Sequence, residues 1–160
     1  MSPEQYVQRL TEISHKKHKY MQDMYMLTVE QSKTINEDGL EQLDKIIAAR
    51  QTLIEQVDKL DEEFSVYFQR LKQVLGVKSL DEIKSPGIPG VKELQQSIKA
   101  VMGLIKDITE LDKQNNNKAK KLLDELGNEI RKINQGKRVN MAYNPSPVMQ
   151  PPSYFIDKKK

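Results

Sequence analysis

The sequence contains no cysteine and no tryptophan, and only 6% of its 160 residues are aromatic. The absence of cysteine excludes a disulfide framework and a thiol nucleophile, and it agrees with a reducing compartment. Hydrophobic residues make up 37% of the chain and charged residues 31%. This composition, rich in Ala, Leu, Ile, Glu, Lys and Gln, is typical of long helices around a narrow core.

Long apolar runs are also missing. No stretch approaches the ~20 apolar residues that a membrane-spanning helix needs. The first residues, MSPEQ, lack the basic region and apolar run of a signal peptide. We therefore expect a cytoplasmic protein with no stable membrane insertion.

The net charge of +3 is unevenly distributed. Residues 135–160 carry five basic side chains against one acidic one, and the remainder of the chain is close to neutral. Proteins that bind nucleic acid usually present a basic face or stripe, and residues 1–134 have none, so we expect no nucleic-acid partner. The basic end is either an interaction tail or a solubilising terminus.

Two helical segments are predicted in the first half of the chain. The first begins with Ser2 as N-cap, Pro3 at the first helical position and Gln5 completing a capping box, and it ends near Gly39. The second ends at Gly76 and has an apolar row with alternating steps of three and four residues, which is typical of an amphipathic helix. That row consists of Leu43, Ile46, Arg50, Leu53, Val57, Leu60, Phe64, Tyr67, Leu71 and Val74.

A third helix is predicted over residues 91–134, after the helix-breaking sequence SPGIPG at 85–90. Asp112 and Asn115 fall on its apolar row, so we expect exposure or local looseness over 112–118. Gly136 is expected to stop this helix. The predicted fold is all-α: an elongated antiparallel three-helix bundle or coiled coil (1–134), followed by a flexible, irregular, proline-containing C-terminal tail (135–160).

Arg50 stands within the apolar row of the second helix and has two interpretations. Its aliphatic stem can cover the row while the guanidinium group reaches water, which is the arrangement we favour. Alternatively, the guanidinium group meets a carboxylate across the bundle and helps to fix the register.

Candidate catalytic or metal-binding residues are few. His15 and His18 are three residues apart on one helical face, but two lysines stand between them and would repel a cation. No glycine-rich phosphate loop follows a strand, because no strand is predicted. We expect no enzyme activity, no metal and no cofactor.

Two groups of side chains are candidates for binding a partner. In the first helix, Met21, Met24 and Tyr25 lie in a bulky cluster, which is either an adaptable contact surface or ordinary core. At the C-terminus, four prolines prevent another helix, yet apolar side chains recur and resemble a docking peptide. The candidate residues of this C-terminal group are Ile130, Ile133, Val139, Met141, Tyr143, Tyr154 and Phe155.

Two segments resemble the FlgN-type flagellar export chaperones. Residues 27–64, LTVEQSKTINEDGLEQLDKIIAARQTLIEQVDKLDEEF, are similar to the core of that family, and residues 133–143, INQGKRVNMAY, are similar to its closing Gly-basic-Ala-Tyr motif. The positions that match the family's core pattern are Leu40, Leu43, Arg50, Leu53, Ile54, Val57 and Leu60.

The resemblance implies a cytoplasmic chaperone that holds flagellar hook–filament junction proteins unassembled and delivers them to the flagellar type III export gate. It also implies that the region from about Ile130 to Tyr143 binds the terminal helices of the cargo. The extension after Tyr143 has no counterpart in the motif. The alternatives are a chaperone for the filament cap and a homodimeric coiled-coil scaffold.

Overall fold

The chain folds into three long helices. The computed structural model describes residues 1–83 and 87–140, with side chains up to residue 136. Helix α1 spans Pro3–Thr34, α2 spans Leu40–Leu75 and α3 spans Val91–Asn140, and short 3-10 turns lie at Glu37–Gly39 and Leu80–Glu82. Across the described residues there is no strand, and the predicted all-α fold is confirmed.

The N-terminus of α1 is capped as the sequence predicts. The Gln5 backbone N–H donates to Ser2 Oγ at 3.2 Å, and the Ser2 N–H donates to Gln5 Oε1 at 2.8 Å. This capping box satisfies backbone donors that have no partner within the helix. Pro3 is the first helical residue, where its missing N–H costs nothing.

Glycines shape the two ends of α2. A Cβ atom at Gly39 would lie 2.2 Å from the carbonyl oxygen of Thr34, so the close approach between the end of α1 and the start of α2 requires glycine. Gly76 ends α2 with φ of 65°, in the left-handed region that favours glycine, and its N–H donates to the carbonyl of Lys72.

Helix α1 lies between the other two. It packs along both α2 and α3, whereas the backbones of α2 and α3 hardly approach each other. Arg9, near the start of α1, pairs with Glu63, and Gln31, near its end, accepts a hydrogen bond from Arg50, so α2 runs antiparallel to α1. Hydrogen bonds to Glu63 and to Glu12 hold the pKa of Arg9 above its ordinary value. Ser14 bonds Ser97 and Thr28 bonds Asn115, so α3 runs parallel to α1 in an up-down-up bundle.

The core consists of three clusters along the bundle. The first lies at the N-terminal end of α1 around Leu10, Leu71 and Leu94, and the second lies in the middle. The third joins Leu43 of α2 to α3. The predicted row of α2 is buried from Leu43 to Arg50 and again at Leu71, and it is half-buried between Leu53 and Tyr67. Its last member, Val74, is 56% exposed.

Helix α3 is longer than predicted. It continues through Gly136 to Asn140, so the expectation that Gly136 stops it is wrong. Its 50 residues compare with 32 in α1 and 36 in α2. Among the described residues, no core cluster includes a side chain after Leu126. Residues 127–140, here named the α3 extension, therefore project roughly 20 Å beyond the last core cluster.

Candidate partner-binding surfaces

The α3 extension carries an apolar stripe with little packed against it. Leu126, Ile130 and Ile133 follow steps of four and three residues and so lie on one helical face. Leu126 packs against the third core cluster, Ile130 is half-buried, and Ile133 is 57% exposed. The stripe thus begins in the core and becomes a free surface toward the C-terminus.

The other C-terminal candidates lie at or beyond the limit of the described residues. Val139 belongs to α3 by its backbone. Met141, Tyr143, Tyr154 and Phe155 lie outside the described residues. The division of the chain into a bundle (1–134) and a tail (135–160) stays a prediction, although helical backbone continues to Asn140.

The candidates in α1 divide between core and surface. Met21 and Met24 are buried in the middle core cluster, which agrees with the ordinary-core alternative. Tyr25 reaches the surface, next to Met26, which is 66% exposed. Of the three predicted residues, Tyr25 alone offers a partner direct contact in this arrangement.

Arg50 forms an ion pair inside the bundle. Its Nη1 and Nη2 atoms donate to the two carboxylate oxygens of Asp112 at 2.6 and 3.0 Å, and Nη1 also donates to Gln31 Oε1 at 2.7 Å. The Arg50 residue is 6% exposed. The favoured interpretation, a guanidinium group that reaches water, is wrong, and the alternative of a carboxylate across the bundle is confirmed. This pair joins α2 to α3, whose backbones lie apart.

Asn115 is also buried, at 2% exposure. Its Nδ2 donates to the carbonyl of Thr28 at 3.2 Å, and the Thr28 hydroxyl donates to the carbonyl of Met24 at 2.7 Å. The predicted exposure or looseness around residues 112–118 is therefore wrong, since Asp112 and Asn115 enter the interior. The signal for this layer was in the sequence: residues of opposite charge occupy the apolar rows of two different helices.

The two histidines do not form a site. His15 Nε2 lies 3.8 Å from Glu93 Oε1 at the surface. Within residues 1–83 and 87–140, no group of three His, Cys, Asp or Glu side chains is placed to hold a metal ion. In the same residues, no helix is long and apolar enough to cross a membrane.

Sequence reasoning missed a groove between α2 and α3. It has a volume of about 750 Å³ and lies toward the end of the bundle where α3 begins. Its floor is α1, through Ile13, and its walls include Phe64 of α2 and Ile98 of α3. The sequence offered no direct signal, because the groove depends on the spacing between helices.

A family model described as FlgN protein matches residues 1–150 of the chain. The match includes both segments that carry the resemblance, 27–64 and 133–143, and it extends seven residues past Tyr143. Comparisons with curated proteins and with solved structures gave no match.

Proposed function

We propose that the cargo of this protein is the hook–filament junction proteins, because the chain belongs to the FlgN family of flagellar type III export chaperones. In this proposal the protein acts in the cytoplasm and binds the terminal helices of these proteins. Their assembly surface is then covered until delivery to the export gate. The activity is binding, with no catalytic residue and no cofactor.

The observation that best supports the proposal is the exposed stripe of the α3 extension. Ile133 is 57% exposed although it continues the phase of core residues in the same helix. A helical cargo segment laid along this stripe would cover Ile130 and Ile133 and extend the third core cluster. The extension is already helical to Asn140, so less ordering entropy is lost when the cargo binds.

The end of the extension and the residues that follow it complete the proposed contact. Val139 and Met141 supply further apolar side chains, and Tyr143 occupies the tyrosine position of the family's closing motif. Large aromatic side chains commonly dominate binding energy. We assign Tyr143 to the contact with cargo or with the export gate, and Tyr154 and Phe155 to a weaker, separate contact.

Tyr25 is the second-ranked contact in this proposal. It stands at the surface of α1, while Met21 and Met24 are buried in the middle core cluster. These two methionines would influence cargo binding through the packing of the bundle, because their side chains are not available to a partner in the described arrangement.

The mass of the complex in solution tests the function. The purified chain is mixed with a junction protein or, separately, with a filament-cap protein, and the mass is measured by light scattering after gel filtration. We expect a one-to-one complex with the junction protein. A complex with the cap protein alone would identify a filament-cap chaperone. A tight homodimer that binds neither cargo would identify a scaffold whose two copies associate through the same stripe.

A further inference from the structure

The groove between α2 and α3 occupies the place of a missing helix. Its walls come from the C-terminal half of α2 and the N-terminal half of α3, and residues 78–81 also line it. Helix α1 contacts both walls, whereas the backbones of the walls lie apart. A fourth helix placed here would touch all three others, which is the arrangement of a four-helix bundle.

Apolar side chains occur from the floor of the groove to its mouth. Ile13 and Val101 are buried at the base, and Phe64 and Phe68 are half-buried on the α2 side. Other apolar side chains stand in solvent: Met102 is 64% exposed, and Ile105, one turn further along α3, is also exposed. Exposed apolar surface that is continuous with a groove is typical of a binding site rather than of a solvated helix face.

The rim of the groove is basic. Four lysines and two aspartates line it. Lys17 is neutralised by Asp61 at 2.7 Å. The other three lysines, Lys78, Lys92 and Lys99, have no ion pair within the described part of the chain, and Asp81 alone opposes them. A partner that enters the groove therefore meets an apolar floor between positive edges.

We propose that this groove docks an amphipathic helix of a partner protein whose polar edges are acidic. The apolar face of the helix fills the space over Ile13, Phe64 and Ile98. Its carboxylates face Lys92 and Lys99 on α3 and Lys78 at the end of the groove. Apolar burial supplies affinity, and the complementary charge selects the partner and its orientation.

Other occupants fit these charges less well. The chain's own last residues, 158–160, are three lysines and would bring positive charge to a positive rim. A second copy docked groove to groove would oppose the same lysines to each other. The groove is also separate from the α3 extension, because Ile105 and Ile130 are 25 residues apart on one helix, or roughly 38 Å.

Two synthetic helical peptides provide the first test. They share one leucine face, and their polar edges are glutamates in one peptide and lysines in the other. Binding to the full-length protein is followed by fluorescence anisotropy of a labelled peptide. We expect the glutamate peptide to bind about tenfold more tightly or better, with an advantage that shrinks as salt is added. Equal binding of the two, or no binding of either, would overturn the proposal.

Variants locate the binding. Met102→Glu puts a negative charge at the mouth of the groove, and Met26→Glu makes the same change at an equally exposed position of α1 that does not line it. Met102→Glu should weaken binding of the glutamate peptide about tenfold, and Met26→Glu should leave that binding unchanged. Lys92→Glu combined with Lys99→Glu should reverse the preference between the peptides. Equal effects of the two methionine variants would place binding elsewhere.

The rival occupants have their own readouts. An unlabelled peptide of residues 141–160 is added as a competitor, and we expect no displacement of the glutamate peptide. Displacement would assign the groove to the chain's own terminus. The mass of the free protein is compared between parent and Met102→Glu, and a dimer that dissociates in the variant would assign the groove to a second copy. These readouts do not involve flagellar cargo. The groove proposal can therefore fail while the proposed function holds, and the proposed function can fail while the groove proposal holds.

Discussion

The two parts of α3 share one apolar periodicity but differ in what covers it. Inside the bundle, the row contains Leu94 with no exposed surface, and Val101, Ile108, Ala119 and Leu122 are buried, although Ile105, beside the groove, is 38% exposed. In the extension, the same phase reaches Ile133, which stands largely in solvent. Helical phase thus identifies the face that gains from burial, while the length of the neighbouring helices decides whether the chain itself supplies the cover. Where the chain does not cover this face, a partner protein can.

The polar residues of α3 sharpen this contrast. Asp112 and Asn115 interrupt the apolar row inside the bundle. The Asp112 carboxylate accepts from Arg50 and Asn115 Nδ2 donates to the Thr28 carbonyl, so these groups, which would otherwise be costly to bury, have partners. Asn115 Oδ1 is buried without a hydrogen-bond partner among the described residues. The enclosed part therefore contains a polar layer, and the uncovered part presents isoleucine. If this comparison is right, changes inside should reduce stability and changes outside should reduce binding.

The largest effect is expected from Leu94→Ala. This side chain has no exposed surface and lies in the first core cluster, so its removal leaves a cavity. We expect a loss of about 4 kcal/mol in the free energy of unfolding, measured by urea denaturation followed by circular dichroism. Ile133→Ala is the matched control from the uncovered part, and it should change stability by less than about 0.5 kcal/mol. Equal losses from the two would break the comparison.

Asp112→Ala should cost slightly less, about 3 kcal/mol, because it leaves Arg50 charged and buried without its carboxylate. The double variant Arg50→Met with Asp112→Leu removes both charges and should recover most of the loss. Thermal and urea unfolding of the parent, single and double variants measure this. A double variant as unstable as the single one would mean that the hydrogen bonds of the layer, rather than the unpaired charge, dominate.

Tyr143→Ala should weaken binding of a junction protein by about 1–3 kcal/mol, with the melting temperature nearly unchanged. Residue 143 follows the α3 extension closely and stands at the tyrosine position of the family motif. Tyr154→Ala with Phe155→Ala is the comparison variant, and it should have the smaller effect. Titration calorimetry gives both values. A larger loss from the double change would move the principal contact to the end of the chain.

The smallest effect is expected from His15→Ala combined with His18→Ala. These side chains are at or near the surface and take no part in either proposed binding surface. Stability and cargo affinity should both stay within about 0.5 kcal/mol of the parent values. Loss of cargo binding would move the functional surface to α1.

Much of the fold could be predicted from sequence because it depends on local signals. The capping box at Ser2 and Gln5, the break at Gly39 and the left-handed Gly76 act over a few residues. The prediction of where α3 ends was wrong, and the reason is also local. Gly136 costs about 1 kcal/mol within a helix but does not forbid one, and the next proline comes only at residue 145.

The contacts that the sequence left open, or did not indicate, depend on distant parts of the chain. Arg50 and Asp112 are 62 residues apart, and the choice between water and a carboxylate is made only when α2 and α3 pack on α1. The groove depends on a distance between helices. Met21 and Met24 could be either surface or core by pattern alone, and the position of α1 between its neighbours placed them in the core.

The central claim is that the uncovered stripe of the α3 extension holds the cargo. The direct measurement is the Kd of a junction protein's terminal helix for the parent, for Ile133→Asp and for Val66→Asp, by titration calorimetry. Both variants change an exposed apolar side chain, at 57% and 48% exposure, so both should melt like the parent. We predict that Ile133→Asp raises the Kd at least tenfold, about 1.4 kcal/mol, and that Val66→Asp leaves it unchanged. A parent-like Kd for a folded Ile133→Asp variant would contradict the claim.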